Sequence, residues 1–170
     1  MIASIPKDII WVSSSLNDLQ QFPDSVRQMM GFALFQSQCG GSEGRQIKMS
    51  ANTPDYTKSS GNVFADLGLP GSDELLAKAA LANQIASIIG HRHLTQKEAA
   101  GILGTGQPKV SELLAGKLGG FSIERLIRYL NALGRDVQIV VSPKPRSRKS
   151  ATLSVTGKSR SHSTDVACAG

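Results

Sequence analysis

The sequence predicts a mainly α-helical fold, a helix-turn-helix bundle with one C-terminal β-strand and a small αβ fragment at the N-terminus. Apolar residues recur at spacings of three and four over residues 72–133, which is the period of helices with one buried face. Within this stretch, two short helical patterns meet at a glycine-containing turn over residues 104–106. Apolar and polar residues then alternate from Val137, which predicts a strand.

The first helix of the motif has a defined start and end. Thr95 and Glu98 have the spacing of a capping box, in which each side chain accepts a hydrogen bond from the other residue's backbone amide. Ala100 is small, as the inner position must be where two helices cross closely. Gly104 suits a turn residue with positive φ. Val110 then begins the buried face of the second helix.

Polar residues at the start of both helices predict contacts with duplex DNA, because the second helix of such a motif lies in the major groove. Gln107 can bridge N6 and N7 of adenine, and Lys109 can reach guanine or a phosphate. The alternative is that these side chains only solvate the surface of an α-bundle. The predicted DNA-binding residues are Gln96, Gln107, Pro108, Lys109, Ser111 and Lys117.

The flanking segments complete the predicted domain, residues 72–142. Ser72 and Ser122 are candidate N-caps of the helices before and after the motif. The strand of Val137, Ile139 and Val141 needs a partner for its backbone groups, and no convincing second strand lies nearby. Pairing with the same strand of a second subunit would satisfy it and predicts a two-fold homodimer on a pseudo-palindromic operator.

Three further segments are predicted outside this domain. Residues 1–41 form a short αβ block, too small to be stable without help. Residues 42–71 are rich in Ser, Gly, Asn and Pro and indicate a linker, whose apolar cluster around Phe64 is a candidate to dock on the next domain. Residues 143–170 alternate basic and hydroxyl residues and predict a disordered tail.

Composition excludes several classes of protein. The net charge of +6 arises mainly from residues 143–170, which hold six basic residues and one acidic residue. The two cysteines form no metal-binding or disulfide pattern, and no catalytic arrangement of side chains is evident, so we expect no cofactor, no metal and no enzyme activity. No apolar run reaches the roughly 18 residues of a membrane span, and no signal peptide is evident. We expect a cytoplasmic protein.

Residues 94–117 resemble the helix-turn-helix of the XRE/Cro–repressor family, which implies a lambda-repressor-like bundle. The wider stretch of residues 59–142 is similar to HigA-type antitoxins. That resemblance rests on the segments Asn62–Pro70, Asp73–Ala79, Gly120–Leu126 and Leu130–Val137. It implies a dimeric repressor of its own operon that also neutralises an RNA-cleaving toxin.

The N-terminal block resembles the start of a HigB-type toxin of the RelE fold (phage Gp49-like). The similar segments are Ile10–Leu19, Phe22–Arg27, Gly31–Leu34 and Gln38–Gly41. The resemblance ends before the strands that carry that family's catalytic basic residues, so we expect a truncated fragment without ribonuclease activity. The fragment is expected either to fold poorly or to use the surface of the following domain, and to be dispensable for DNA binding.

Two functions stay open on the sequence. The first is a sequence-specific repressor of antitoxin type with a HigB/RelE-type toxin as partner. The alternative is an XRE-family regulator that binds DNA without a toxin partner. A further possibility is that the basic tail alone binds nucleic acid without sequence preference.

Overall fold

Helices dominate the computed structural model, which describes residues 8–39, 56–144, 146, 151–153 and 155 of the chain. In chain order the elements are β1 (Ile10–Val12), α1 (Ser15–Gln20), α2 (Asp24–Cys39), β2 (Tyr56–Lys58), α3 (Val63–Asp66), α4 (Ser72–His91), α5 (Gln96–Leu103), α6 (Gln107–Leu114), a 3₁₀ helix (Leu118–Gly120) and α7 (Ile123–Ala132). The predicted fold class, a mainly α helix-turn-helix bundle, is confirmed.

Helix α4 is the centre of the bundle. It packs against α3, α6 and α7, while α5 packs on α6 and α7. Its alanines and isoleucines allow close approach on several sides, and Ala79, Ala82 and Ile85 are fully buried. Gly71, in the left-handed conformation, is the N-cap of this helix, so Ser72 is its first residue and not the predicted cap.

The N-terminal block belongs to the same core. Trp11 of β1 and Phe32 of α2 are buried in one cluster with residues of α3, α4 and α6. The Trp11 indole nitrogen donates a hydrogen bond to the Asp66 carboxylate at 3.1 Å. The block is therefore folded on the domain that follows it. Removing residues 8–39 would expose core side chains, which bears on stability. That the block is dispensable for DNA binding stays a prediction.

Residues 56–71, which we predicted to be part of a linker, are structured. β2 pairs antiparallel with β1 in the register Trp11 to Thr57. Val63 and Phe64 of α3 are buried, as is Leu67, so the apolar cluster noted in the sequence docks as expected. The composition suggested a linker because the polar residues cap and connect short elements here. The rest of the predicted linker, residues 42–55, lies outside the described residues.

The predicted C-terminal strand is not formed within one chain. Residues 137–142 have no regular secondary structure, and the two strands described elsewhere are β1 and β2. Val137 packs partly against the core, but Ile139 and Val141 are 78% and 92% exposed. A strand requires a backbone partner, and among the described residues no strand pairs with this segment. Most of the predicted tail, residues 143–170, lies outside the described residues.

Candidate nucleic-acid interface

The start of α5 is fixed by the predicted capping box. The Thr95 hydroxyl accepts a hydrogen bond from the Glu98 amide at 3.3 Å, and the Glu98 carboxylate accepts one from the Thr95 amide at 2.8 Å. The hydrogen bonds that the Thr95 amide and hydroxyl donate to the Glu98 carboxylate, each at 2.8 Å, lower the pKa of Glu98 below its usual value. The box fixes Gln96 as the first residue of the helix, in the turn whose backbone amides have no intrahelical partner.

The turn between α5 and α6 is set by the two small residues identified in the sequence. Gly104 caps α5 at a φ of +62°, a conformation that side chains with a Cβ rarely adopt. The Thr105 amide returns to the Ala100 carbonyl at 3.0 Å. Ala100 is buried where the helices cross, and Val110 and Leu113 of α6 point into the core. The outer face of α6 therefore remains for contact with a ligand.

Gln96 and Gln107 lie together on this outer face. The Gln107 side-chain amide donates to the Gln96 side-chain carbonyl oxygen at 2.5 Å. One Gln107 N–H is used, so its second N–H and its carbonyl oxygen remain available, which is the donor–acceptor pair that matches the major-groove edge of adenine. Both N–H groups of Gln96 remain available for a phosphate oxygen. The sequence placed each residue at the interface, but it did not predict this contact.

Pro108 and Ser111 occupy the same outer part of α6. Pro108 stands in the first turn, where its missing N–H has no helical partner to lose. Pro108 is exposed, and Ser111 is half-buried one turn further along. Gln107 and Pro108, with part of Ser111, are therefore accessible together at the start of the helix.

Lys109 is directed away from this surface. Its ammonium group forms a 2.7 Å ion pair with Glu112 and lies 5.6 Å from the centre of the Phe121 ring. The hydrogen bond from Lys109 lowers the pKa of Glu112. Burial opposes this shift, and the positive charges of Lys109 and Lys117 add to it. Contact with DNA requires Lys109 to leave this ion pair, which is a weak interaction because both groups are partly exposed to water. Glu112 was missed from the sequence, although its spacing of three from Lys109 was a signal.

Lys117 follows the end of α6, at a glycine cap. The Gly116 amide donates to the Leu113 carbonyl at 3.1 Å and the Lys117 amide to the Glu112 carbonyl at 3.0 Å, the paired bonds of a Schellman motif. Lys117 is exposed, and no carboxylate among the described residues forms a salt bridge with it. It is free to approach a DNA backbone.

The described residues contain no cluster of His, Cys, Asp or Glu that could hold a metal ion. None of the helices described is both long enough and apolar enough to cross a membrane. The predicted contact residues of α5 and α6 offer amide, hydroxyl and ammonium groups, which suit hydrogen bonding to bases and phosphates.

Comparison with known proteins identifies the domain. The family profile described as "Helix-turn-helix domain" matches residues 63–142. A solved chain described as an "XRE Family Transcriptional Regulator" is 47% identical, with a TM-score of 0.50; the match covers 52% of this chain and 100% of that one. No curated protein matches the chain. The protein therefore belongs to the XRE family of DNA-binding helix-turn-helix transcriptional regulators.

Proposed function

We propose that the protein is a sequence-specific repressor that binds a pseudo-palindromic operator as a homodimer. The observation that carries this proposal is the hydrogen bond between Gln96 and Gln107 at the start of the two motif helices. This bond holds the Gln107 amide in one orientation before DNA arrives, and a preoriented bidentate group distinguishes bases better than a freely rotating one.

The other predicted residues divide into two groups by chemistry. Ser111 lies on the same accessible face as Gln107 and can bond to several base edges, so it discriminates little. Gln96 and Lys117 lie at opposite ends of the motif and are suited to the phosphates that flank a groove. Lys109 can contact a phosphate as well, once its ion pair with Glu112 is broken. Phosphate contacts position the protein, and Gln107 supplies the main base reading.

Exposed apolar residues near the C-terminus support the homodimer. Ile139, Val140 and Val141 are 78%, 83% and 92% exposed, a run that is costly to leave in water. Antiparallel pairing with the same segment of a second subunit would satisfy its backbone and cover part of this surface. A two-fold dimer presents two α6 helices to half-sites about 34 Å apart.

The antitoxin role is the finer part of the proposal. It is supported by the resemblance of residues 59–142 to HigA-type antitoxins. A second observation favours it: residues 8–39, which resemble the start of a HigB-type toxin, pack on α3 of the domain that resembles an antitoxin. The alternative is an XRE-family regulator without a toxin partner. Co-purification with a co-expressed full-length HigB-type toxin would support the first, and absence of a complex would favour the second.

Fluorescence anisotropy tests the repressor function. The duplex from upstream of its own gene is compared with a scrambled duplex over a series of salt concentrations. We expect tight binding to the native duplex only, and loss of that preference in the Gln107→Ala/Lys109→Ala variant. Equal binding of both duplexes, with a steep salt dependence that disappears on truncation at Pro143, would contradict the proposal and leave only an unspecific basic tail.

A further inference from the structure

Helix α2 of the N-terminal block contacts the end of the DNA-reading helix through one aromatic ring. Phe32 is 2% exposed and lies on Gly116, the residue that follows Ala115, the C-cap of α6. A Cβ atom at Gly116 would lie 2.4 Å from Phe32 Cδ1 and 2.6 Å from Phe32 Cβ. The ring therefore touches the glycine backbone with no room for a methyl group. The φ of Gly116, +76°, is itself one that favours glycine.

Gly116 determines the path of the chain towards Lys117. The bonds from the Gly116 and Lys117 amides to Leu113 and Glu112 reverse the backbone at this point. Gln28, one helical turn before Phe32, reaches the same loop, with its side-chain oxygen 3.5 Å from where a Cβ of Gly119 would lie. Helix α2 thus lies along the loop that carries Lys117.

Helix α2 also packs against α3. Gly31 lies against Phe64 of α3, where an added Cβ would be 2.9 Å from the Phe64 ring. The Arg27 guanidinium donates to the Leu67 carbonyl at 2.6 Å. Since α3 packs on α4 at the centre of the bundle, Phe32 connects the core to the end of α6.

We propose that Phe32 is a positioning residue for DNA binding, and that residues 8–39 support the Lys117 end of the reading helix. The inference rests on the proposed phosphate contact of Lys117. The matched family domain begins at residue 63, so α2 lies outside it and this support is an addition made by the N-terminal block. The block then acts on DNA affinity without touching DNA.

A double-mutant cycle of Phe32→Leu and Lys117→Ala tests the proposal in the full chain. Binding to the upstream duplex is measured over a salt series. Lys117→Ala is expected to lower the salt slope by about one, because one phosphate contact is lost. Phe32→Leu should lower the slope by a similar amount, yet should have little further effect in the Lys117→Ala background. Merely additive losses would overturn the positioning role.

Trp11→Phe is the matched control, since it perturbs the same block at its contact with Asp66 rather than at Gly116. It should lower the melting temperature and leave the salt slope unchanged. Phe32→Met, whose flexible side chain can fill an irregular gap, is the second variant if Phe32→Leu lacks the native circular dichroism spectrum. If Lys117→Ala itself leaves the slope unchanged, the phosphate role in the proposed function is wrong and this inference falls with it. If only the Phe32 variants leave it unchanged, the inference alone is wrong.

Discussion

Loss of the Gln107 side chain should weaken operator binding and relax specificity at one base pair. With one N–H bonded to Gln96, the amide retains the one donor and one acceptor needed for a bidentate contact with adenine. Such a contact is worth about 1–3 kcal/mol, so Gln107→Ala should raise Kd by about 5- to 150-fold. Gln96→Ala leaves the reading group in place but unoriented and should cost about 0.5–1.5 kcal/mol.

The coupling between the two residues distinguishes orientation from two independent contacts. The double variant should lose less than the sum of the single losses, by about 0.5 kcal/mol or more. Fluorescence anisotropy with the operator, and with duplexes that carry single base-pair changes, measures the loss of binding free energy in each single variant and in the double variant. Gln21→Ala, an exposed glutamine at the end of α1, is the control and should bind as the unmodified protein does. Additive losses, or a Gln107→Ala variant that still discriminates every base pair, would refute the reasoning.

Three other substitutions have defined outcomes. Thr95→Ala removes the α5 N-cap and should lower the free energy of unfolding by about 1 kcal/mol in urea titrations. Thr95 lowers the pKa of Glu98 in the folded state. The Glu98 carboxylate therefore contributes fully to the free energy of unfolding above its unfolded-state pKa, and this contribution is lost as the pH falls through the folded-state pKa. The Thr95→Ala variant should accordingly lose less stability on acidification than the unmodified protein. Glu112→Gln releases Lys109 and should tighten DNA binding and raise the salt slope by up to about one; an unchanged slope would show that Lys109 does not reach phosphate. Ile139→Pro should convert dimers to monomers in sedimentation velocity while the monomer keeps the native circular dichroism spectrum, since the residue is exposed, and a persisting dimer would exclude strand pairing.

Much of the motif could be predicted because its signals are local. The capping box at Thr95, the turn at Gly104 and the inward face of Val110 depend on residues within four positions of one another, and the structure has each of them. The orientation of Lys109 was not predictable with the same ease. Its ammonium group is held partly by Phe121, which the fold brings near from beyond the end of α6.

By itself, the sequence determined the helices of the motif, the caps at Thr95 and Ser122 and the polar opening of the reading helix, since periodicity and capping act over one or two turns. Only the tertiary structure decided that the N-terminal block and residues 56–71 join the same core. The packing of Phe32 on Gly116 and the bond from Trp11 to Asp66 connect residues more than 50 positions apart. Contacts of that range depend on how apolar faces meet in three dimensions, and neither composition nor spacing along the chain specifies that meeting.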